Sequence, residues 1–198
     1  SLEVLETEVD DLLNEYIANN TTTVSVYAAG PIERASVYTD NNKTISDGYD
    51  HATDEWSNQN GTRIFEYNIK SNYLVATFDG ETIDTGSGES LAKSGYGYLI
   101  APPGSLVISP VTSLLAVSEL TELDLINALG IPSNFNIIEQ NPFDLNLPET
   151  DVTKIQSINY QILSTAMCIS AVTGAGEAGS RQAFETSISS IATIMEDR

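Results

Sequence analysis

The sequence predicts an α+β protein: an antiparallel β-sandwich flanked by an N-terminal helix and a C-terminal helical bundle. Three observations predict it. Apolar residues recur every three or four positions in residues 1–20 and again beyond residue 109. Between these stretches lie short β-branched or aromatic runs parted by Gly, Asn, Asp and Pro. The two patterns are segregated along the chain rather than alternating, which favours α+β over a βαβ arrangement. The expected division is therefore 1–20 as a helix, 21–108 as a β-sandwich domain and 109–198 as a helical domain.

In the first stretch, Leu2, Leu5, Val9, Leu12, Leu13 and Tyr16 make one apolar stripe, with acidic residues on the other face. Asn19 and Asn20 stop it, because Asn tolerates the left-handed conformation found at helix ends. Strand-like runs follow: "TTTVSVYAAG", "ASVYTD", "RIFEYNI", "YLVATFDG" and "GYGYLIAPPG". Val24 and Val26 alternate cleanly, and Ile64, Tyr67 and Ile69 belong to a run whose period Phe65 breaks. Ser109 is a plausible cap and Pro110 suits a first helical turn, with Gly130 and Pro132 ending that helical stretch. Two further helices are expected over Asp151–Val172 and Ser180–Met195, with "TGAGEAG" as the turn between them. The N-terminal stripe needs a partner, either the C-terminal helices or a neighbouring copy.

Charge excludes several function classes. The chain has 28 acidic residues against 8 Lys and Arg, for a net charge of −20. So few cations cannot track a phosphate backbone, so nucleic acid is not expected as a partner. An anionic membrane surface would repel the chain, and no run of eighteen apolar residues is present, so membrane insertion is not expected. No signal-peptide pattern occurs, and the Ser1 start would fit removal of an initiator Met from a virion protein. A single His51 and a single Cys168 leave no material for a zinc site, a His-based triad or an internal disulfide. Cys168 sits in an apolar helical run and is expected as a buried thiol. Sequons at Asn20, Asn42 and Asn60 are as well explained by chance in so Asn-, Ser- and Thr-rich a chain.

Two acidic loops remain as candidate sites. "DNNKTISDGYDHATDE" carries Asp40, Asn42, Thr44, Asp47 and Asp50, with Asp54 and Glu55 close behind. Hard oxygen donors at near-alternate positions suit calcium, which takes six to eight oxygen ligands. Counted from Asp40, positions six and twelve are Ile45 and His51, so the stretch is not an EF-hand; a solvated acidic hairpin is the competing reading. The second loop, "FDGETIDTGSGES", carries Asp79, Glu81, Asp84 and Glu89 among turn-forming glycines. Facing carboxylates of a glycosidase would need a cleft between them, which adjacent loop positions do not suggest. "GSGES" lacks the Ser-centred order of a nucleophile elbow, and "GAGEAG" follows a helix rather than a strand. No catalytic residue is therefore assigned, and the chain is expected not to be an enzyme.

From Gly30 to about Pro142 the ordered pieces "GPIERASVYTDNN", "NGTRIFEYNI", "LVATFDGETIDTG", "LIAPPGSLVISPVTSLLA" and "LGIPSNFNIIEQNPFD" are the basis of a resemblance. Together they are similar to a module repeated in giant surface and adhesin-like proteins of aquatic bacteria and cyanobacteria. The resemblance implies a prealbumin-like β-sandwich, akin to carboxypeptidase-regulatory-like and Cna-B-type modules, followed by helices. It implies an extracellular structural or adhesive role without catalysis. It also implies calcium at Asp40, Asn42 and Asp47, with Asp84 as the matched acid of the second turn. This loop is shorter than the family's and lacks its Gly-rich spacing.

The expected function is thus a structural subunit or module of an extracellular or cell-surface assembly: a filament, surface layer or adhesin stalk. Its partners would be copies of itself or neighbouring modules, with a glycan or cell-surface target as a further class. Two alternatives stand beside it. One is a virion surface or decoration protein. The other is a calcium-assisted glycan-binding module using Trp56 and nearby tyrosines.

Overall fold

The computed structural model describes residues 21–41, 57–65, 69–91, 97–144, 147–173 and 181–197. The expected helix of residues 1–20 lies outside them. The described residues form a mixed α+β structure with nine strands and four helices. The strands are β1 (Thr22–Val26), β2 (Ile32–Glu33), β3 (Ser36–Asp40), β4 (Thr62–Phe65), β5 (Tyr73–Thr77), β6 (Ile83–Asp84), β7 (Glu89–Ser90), β8 (Tyr98–Ala101) and β9 (Val107–Ile108). The helices are α1 (Pro110–Val117), α2 (Glu122–Leu129), α3 (Glu149–Thr173) and α4 (Arg181–Glu196).

Three three-stranded sheets form, in the orders β4-β1-β9, β2-β6-β7 and β3-β5-β8. The five strand-like runs of the sequence become β1, β3, β4, β5 and β8. β3, β5 and β8 are antiparallel, with Thr39 opposite Leu74 and Leu74 opposite Ala101. β9 instead runs parallel to β1, with Val26 opposite Ile108. That pairing delivers the chain to the start of α1 beside the end of β1.

All four residues of β8 are buried. A strand with one face in water would alternate; β8 does not, because α1 packs on it and β9 also touches it. One continuous apolar cluster runs from Val24 of β1 through Leu99 of β8 and Leu114 of α1 to Ile188 of α4. The strand-rich and helical segments therefore share a core.

Three sequence expectations are corrected. The stretch from Ser109 to Gly130 is two helices, not one. Ser118 takes an extended conformation, and Thr121 opens α2 with a reciprocal capping box to Asp124. In β4, Ile64 is 56% exposed while Arg63 and Phe65 are buried, so the apolar residue faces out and the cation faces in. The Arg63 guanidinium lies 4.6 Å from the Phe65 ring centroid, a cation–π contact that makes its burial tolerable. Cys168 is exposed rather than buried, since α3 turns Ile155, Ile162 and Ala166 inward and Cys168 away.

Candidate functional site

Two buried polar groupings organise the described residues: an acidic corner on the β2-β6-β7 sheet, and a joint between sheets and helices. Of the expected ligands, Asp40 and Asp84 are described. Asn42, Thr44, Asp47 and Asp50 lie outside the described residues, as does Trp56. Asp40 ends β3 and is buried, opposite Tyr73 of β5. Asp84 ends β6, in a different sheet. Among the described residues no group of three or more His, Cys, Asp or Glu side chains is placed to hold a metal ion.

Asp84 is 4% exposed and organises the turn that follows it. Its Oδ1 accepts from the Gly86 N–H at 3.0 Å, and Gly88 N–H donates to its carbonyl at 2.7 Å. Across the turn, Gly30 packs so closely that a Cβ there would sit 2.4 Å from the Gly86 nitrogen. Glycine is required at that contact because backbone meets backbone. Burial holds the Asp84 carboxyl above its ordinary range, opposed by hydrogen bonds from Gly86, Ser87 and Gly30 that favour the charged form.

The corner's other half is the turn at Asp79. Asp79 Oδ1 accepts from the Glu81 N–H at 2.8 Å, and Thr82 Oγ1 accepts from the Asp79 N–H at 3.0 Å. The same Thr82 hydroxyl reaches the Arg34 carbonyl at 3.0 Å. Arg34 has φ of 62°, in the left-handed region that a side chain with a Cβ rarely adopts. Its neighbours hold it there. The Arg34 N–H donates to the Ser57 carbonyl at 2.9 Å, and Ser57 Oγ bridges the Ala35 N–H and the Ile32 carbonyl. The Arg34 guanidinium pairs with Glu81. Sequence reading selected Asp79, Glu81 and Asp84 but missed Arg34 and Ser57, whose roles depend on a backbone conformation that neither residue type signals.

The joint is better enclosed. Ser109, Thr112, Ser113 and Asn159 are each 0% exposed. Ser109 caps α1: its N–H donates to Thr112 Oγ1 at 2.8 Å, and its Oγ accepts from the Thr112 N–H at 3.2 Å. Ser113 Oγ accepts from the Ile100 N–H of β8 at 3.0 Å, joining helix to sheet. Asn159 of α3 accepts from the Val111 N–H at 3.2 Å and donates to the Ile155 carbonyl at 2.9 Å. Just beyond β1, the Tyr27 hydroxyl hydrogen-bonds to the Ser109 side chain; burial pushes that phenol well above its ordinary range. Its ring meets Phe143 edge-on at 5.7 Å. Gln156 Nε2 of α3 donates to the Ala29 carbonyl at 2.9 Å, just beyond β1. Ser109 was recognised as a cap from sequence; Asn159 was not. Its signal was present, because it lies four residues after Ile155 and three before Ile162, on the inward face.

No family model, curated protein or solved structure matches the chain. Chemically, both groupings do the same kind of work. Their hydroxyls, amides and carboxylate are spent mainly on backbone donors and acceptors, which fixes chain conformation.

Proposed function

We propose that the chain is a non-enzymatic structural unit of an extracellular assembly, a filament, surface layer or adhesin stalk, built from copies of itself or from neighbouring modules. In this reading the sheets belong to a prealbumin-like sandwich of the surface-protein kind that the ordered sequence pieces resemble. The observation that carries it is the joint. A module that transmits tension needs its parts connected by a path that does not bend, and a buried, fully bonded polar network rigidifies and specifies one arrangement. The Ser109–Thr112–Ser113–Asn159 network, with Tyr27 and Gln156, ties β8 and the chain just after β1 to α1 and α3 in that manner.

Calcium is the proposed stiffening ion, taken by the acidic loops that continue from Asp40 and surround Asp84. A cation held only by the folded state stabilises it by mass action, and it would relieve the self-repulsion of a chain carrying −20. The test is the light-scattering mass of the purified chain in calcium and in excess chelator. Large species in calcium that dissociate in chelator are expected. A monomer under both conditions would overturn the self-assembling reading.

A further inference from the structure

The turn that leads into β4 carries the tripeptide Asn60-Gly61-Thr62, an acceptor sequence for N-glycosylation. Frequency alone says little for such a tripeptide in so Asn- and Thr-rich a chain; its place in the fold says more. The Gly61 N–H donates to the Asn58 carbonyl at 2.8 Å, which closes a β-turn over residues 58–61. Asn58 also supplies the side chain that shapes this turn, its Oδ1 accepting from the Asn60 N–H at 2.9 Å and the Thr62 N–H at 3.1 Å. Asn60 itself is exposed. Gly61 is required by the fold: its φ is 69°, and a Cβ there would lie 2.4 Å from the Val26 carbonyl oxygen. Half-buried Thr62 opens β4 on the same face as Ile64, which is 56% exposed, while Arg63 and Phe65 point inward. Both residues that define the tripeptide thus reach the surface, and the asparagine that holds the turn is the other one.

We infer that Asn60 is a glycosylation site, its side-chain amide carrying a saccharide delivered as a diphosphate-activated glycan. The inference rests on the extracellular reading above, since the acceptor tripeptide has meaning on a surface loop of a secreted protein. In the transfer, Asn60 Nδ2 forms a bond to the anomeric carbon of the saccharide. The bond from that carbon to the diphosphate oxygen breaks, and the diphosphate carrier leaves with the electron pair. Nδ2 gives up one proton to a base of the transferring enzyme, which reads the Thr62 hydroxyl as the second half of the acceptor. The fold also preserves that acceptor. An Asn-Gly pair loses its amide when the glycine nitrogen attacks the side-chain carbonyl. Here the Gly61 N–H is committed to the Asn58 carbonyl, and the Gly61 carbonyl accepts from the Val26 N–H at 2.7 Å, which slows that attack. A bound saccharide is bulky and solubilising. At Asn60 it stands at the head of the face that shows Ile64, and gives that exposed apolar side chain a hydrophilic neighbour.

The experiment recovers the full chain from the cells that naturally make it, separated into interior and surface or medium fractions. Each fraction is digested, and the peptide containing Asn60 is weighed by mass spectrometry. Added saccharide mass is expected on that peptide in the surface or medium fraction. It should be lost completely in Asn60→Gln and in Thr62→Val, and kept in Thr62→Ser, which retains the hydroxyl. Because Asn58 holds the turn, Asn60→Gln and Thr62→Ser should melt close to the parent, which separates lost modification from lost folding. A chain outside the cell with a bare Asn60 would overturn the inference and leave the extracellular reading standing. Saccharide that persists in Asn60→Gln would also overturn it, by placing the modification at another residue. A bare chain confined to the cell interior would defeat this inference and the extracellular reading together.

Discussion

At the joint around Ser109 the groups brought out of water are neutral hydroxyls and amides, whereas at the corner around Asp84 a carboxyl is buried. At the joint, a neutral donor and a neutral acceptor lose similar hydration and regain it from each other, so the network holds at any pH in the ordinary range. The corner's carboxyl gains hydrogen bonds to its charged form but loses more by desolvation, and its proton is held above the usual range. The difference separates two kinds of structural polarity. One locks elements together unconditionally; the other leaves a group whose charge state the surroundings, including a bound cation, can alter.

Breaking the joint should have the larger effect. Asn159→Leu keeps roughly the side-chain volume but leaves the Val111 N–H buried and unpaired. A fully enclosed backbone donor without a partner should cost toward the upper end of about 1–3 kcal/mol, so Tm should fall by roughly 5–10 °C in a thermal melt. A melt within a degree of the parent would mean that the amide contributes nothing beyond filling space, and the joint would lose its claim to rigidity.

The corner should yield next, through packing rather than charge. Gly30→Ala places a methyl 2.4 Å from the Gly86 nitrogen and 2.6 Å from its Cα, and backbone cannot rotate aside as a side chain can. Overpacking of this kind costs about 1–3 kcal/mol, and Tm should drop by about 3–8 °C. Gly80→Ala, where a Cβ meets nothing within 4 Å, is the matched control and should melt close to the parent. Equal losses in both variants would show that the loop responds to any added side chain rather than to the Gly30–Gly86 contact.

How much of this was legible in the sequence follows from the length over which a pattern can repeat. α3 and α4 announced themselves because 25 and 16 residues allow several turns of apolar recurrence. β2, β6, β7 and β9 were invisible because two residues cannot display a period. The break between α1 and α2 was encoded in Thr121 and Asp124, but the continuous run of leucines masked it. Arg63 and Ile64 inverted the expected pattern because a cation–π partner made the inward Arg acceptable, a pairing that exists only once Phe65 is placed two residues on. At the candidate site, the acidic residues stood out as a composition. The left-handed Arg34 and the bridging Ser57 did not, since tertiary hydrogen bonds impose their roles. Asp84 was selected as a cation ligand, and the geometry gives its Oδ1 a second employment as the acceptor that shapes its own turn.

The smallest expected effect is also the one that sharpens the contrast between joint and corner. The Asp84 carboxyl is held above its ordinary value of 3.8 by burial, so the folded chain binds that proton more tightly than the unfolded chain. Its contribution therefore favours folding in acid and is lost as pH rises from 3.8 through the raised value. Asp84→Asn retains an oxygen to accept the Gly86 N–H but does not titrate. The Tm of the parent minus that of the variant, measured in chelator, should fall between about pH 3 and pH 7. Subtracting the variant removes the titration of every other carboxylate, which a single curve would mix in. A difference that instead grew with pH would mean that hydrogen bonds to the charged form outweigh desolvation, placing the corner with the joint as unconditional scaffold. Repeating the series in calcium adds a second reading. If Asp84 ligates calcium, the ion favours the carboxylate and the slope should reverse; an unchanged slope would remove Asp84 from the proposed ligands while leaving its turn-forming role intact.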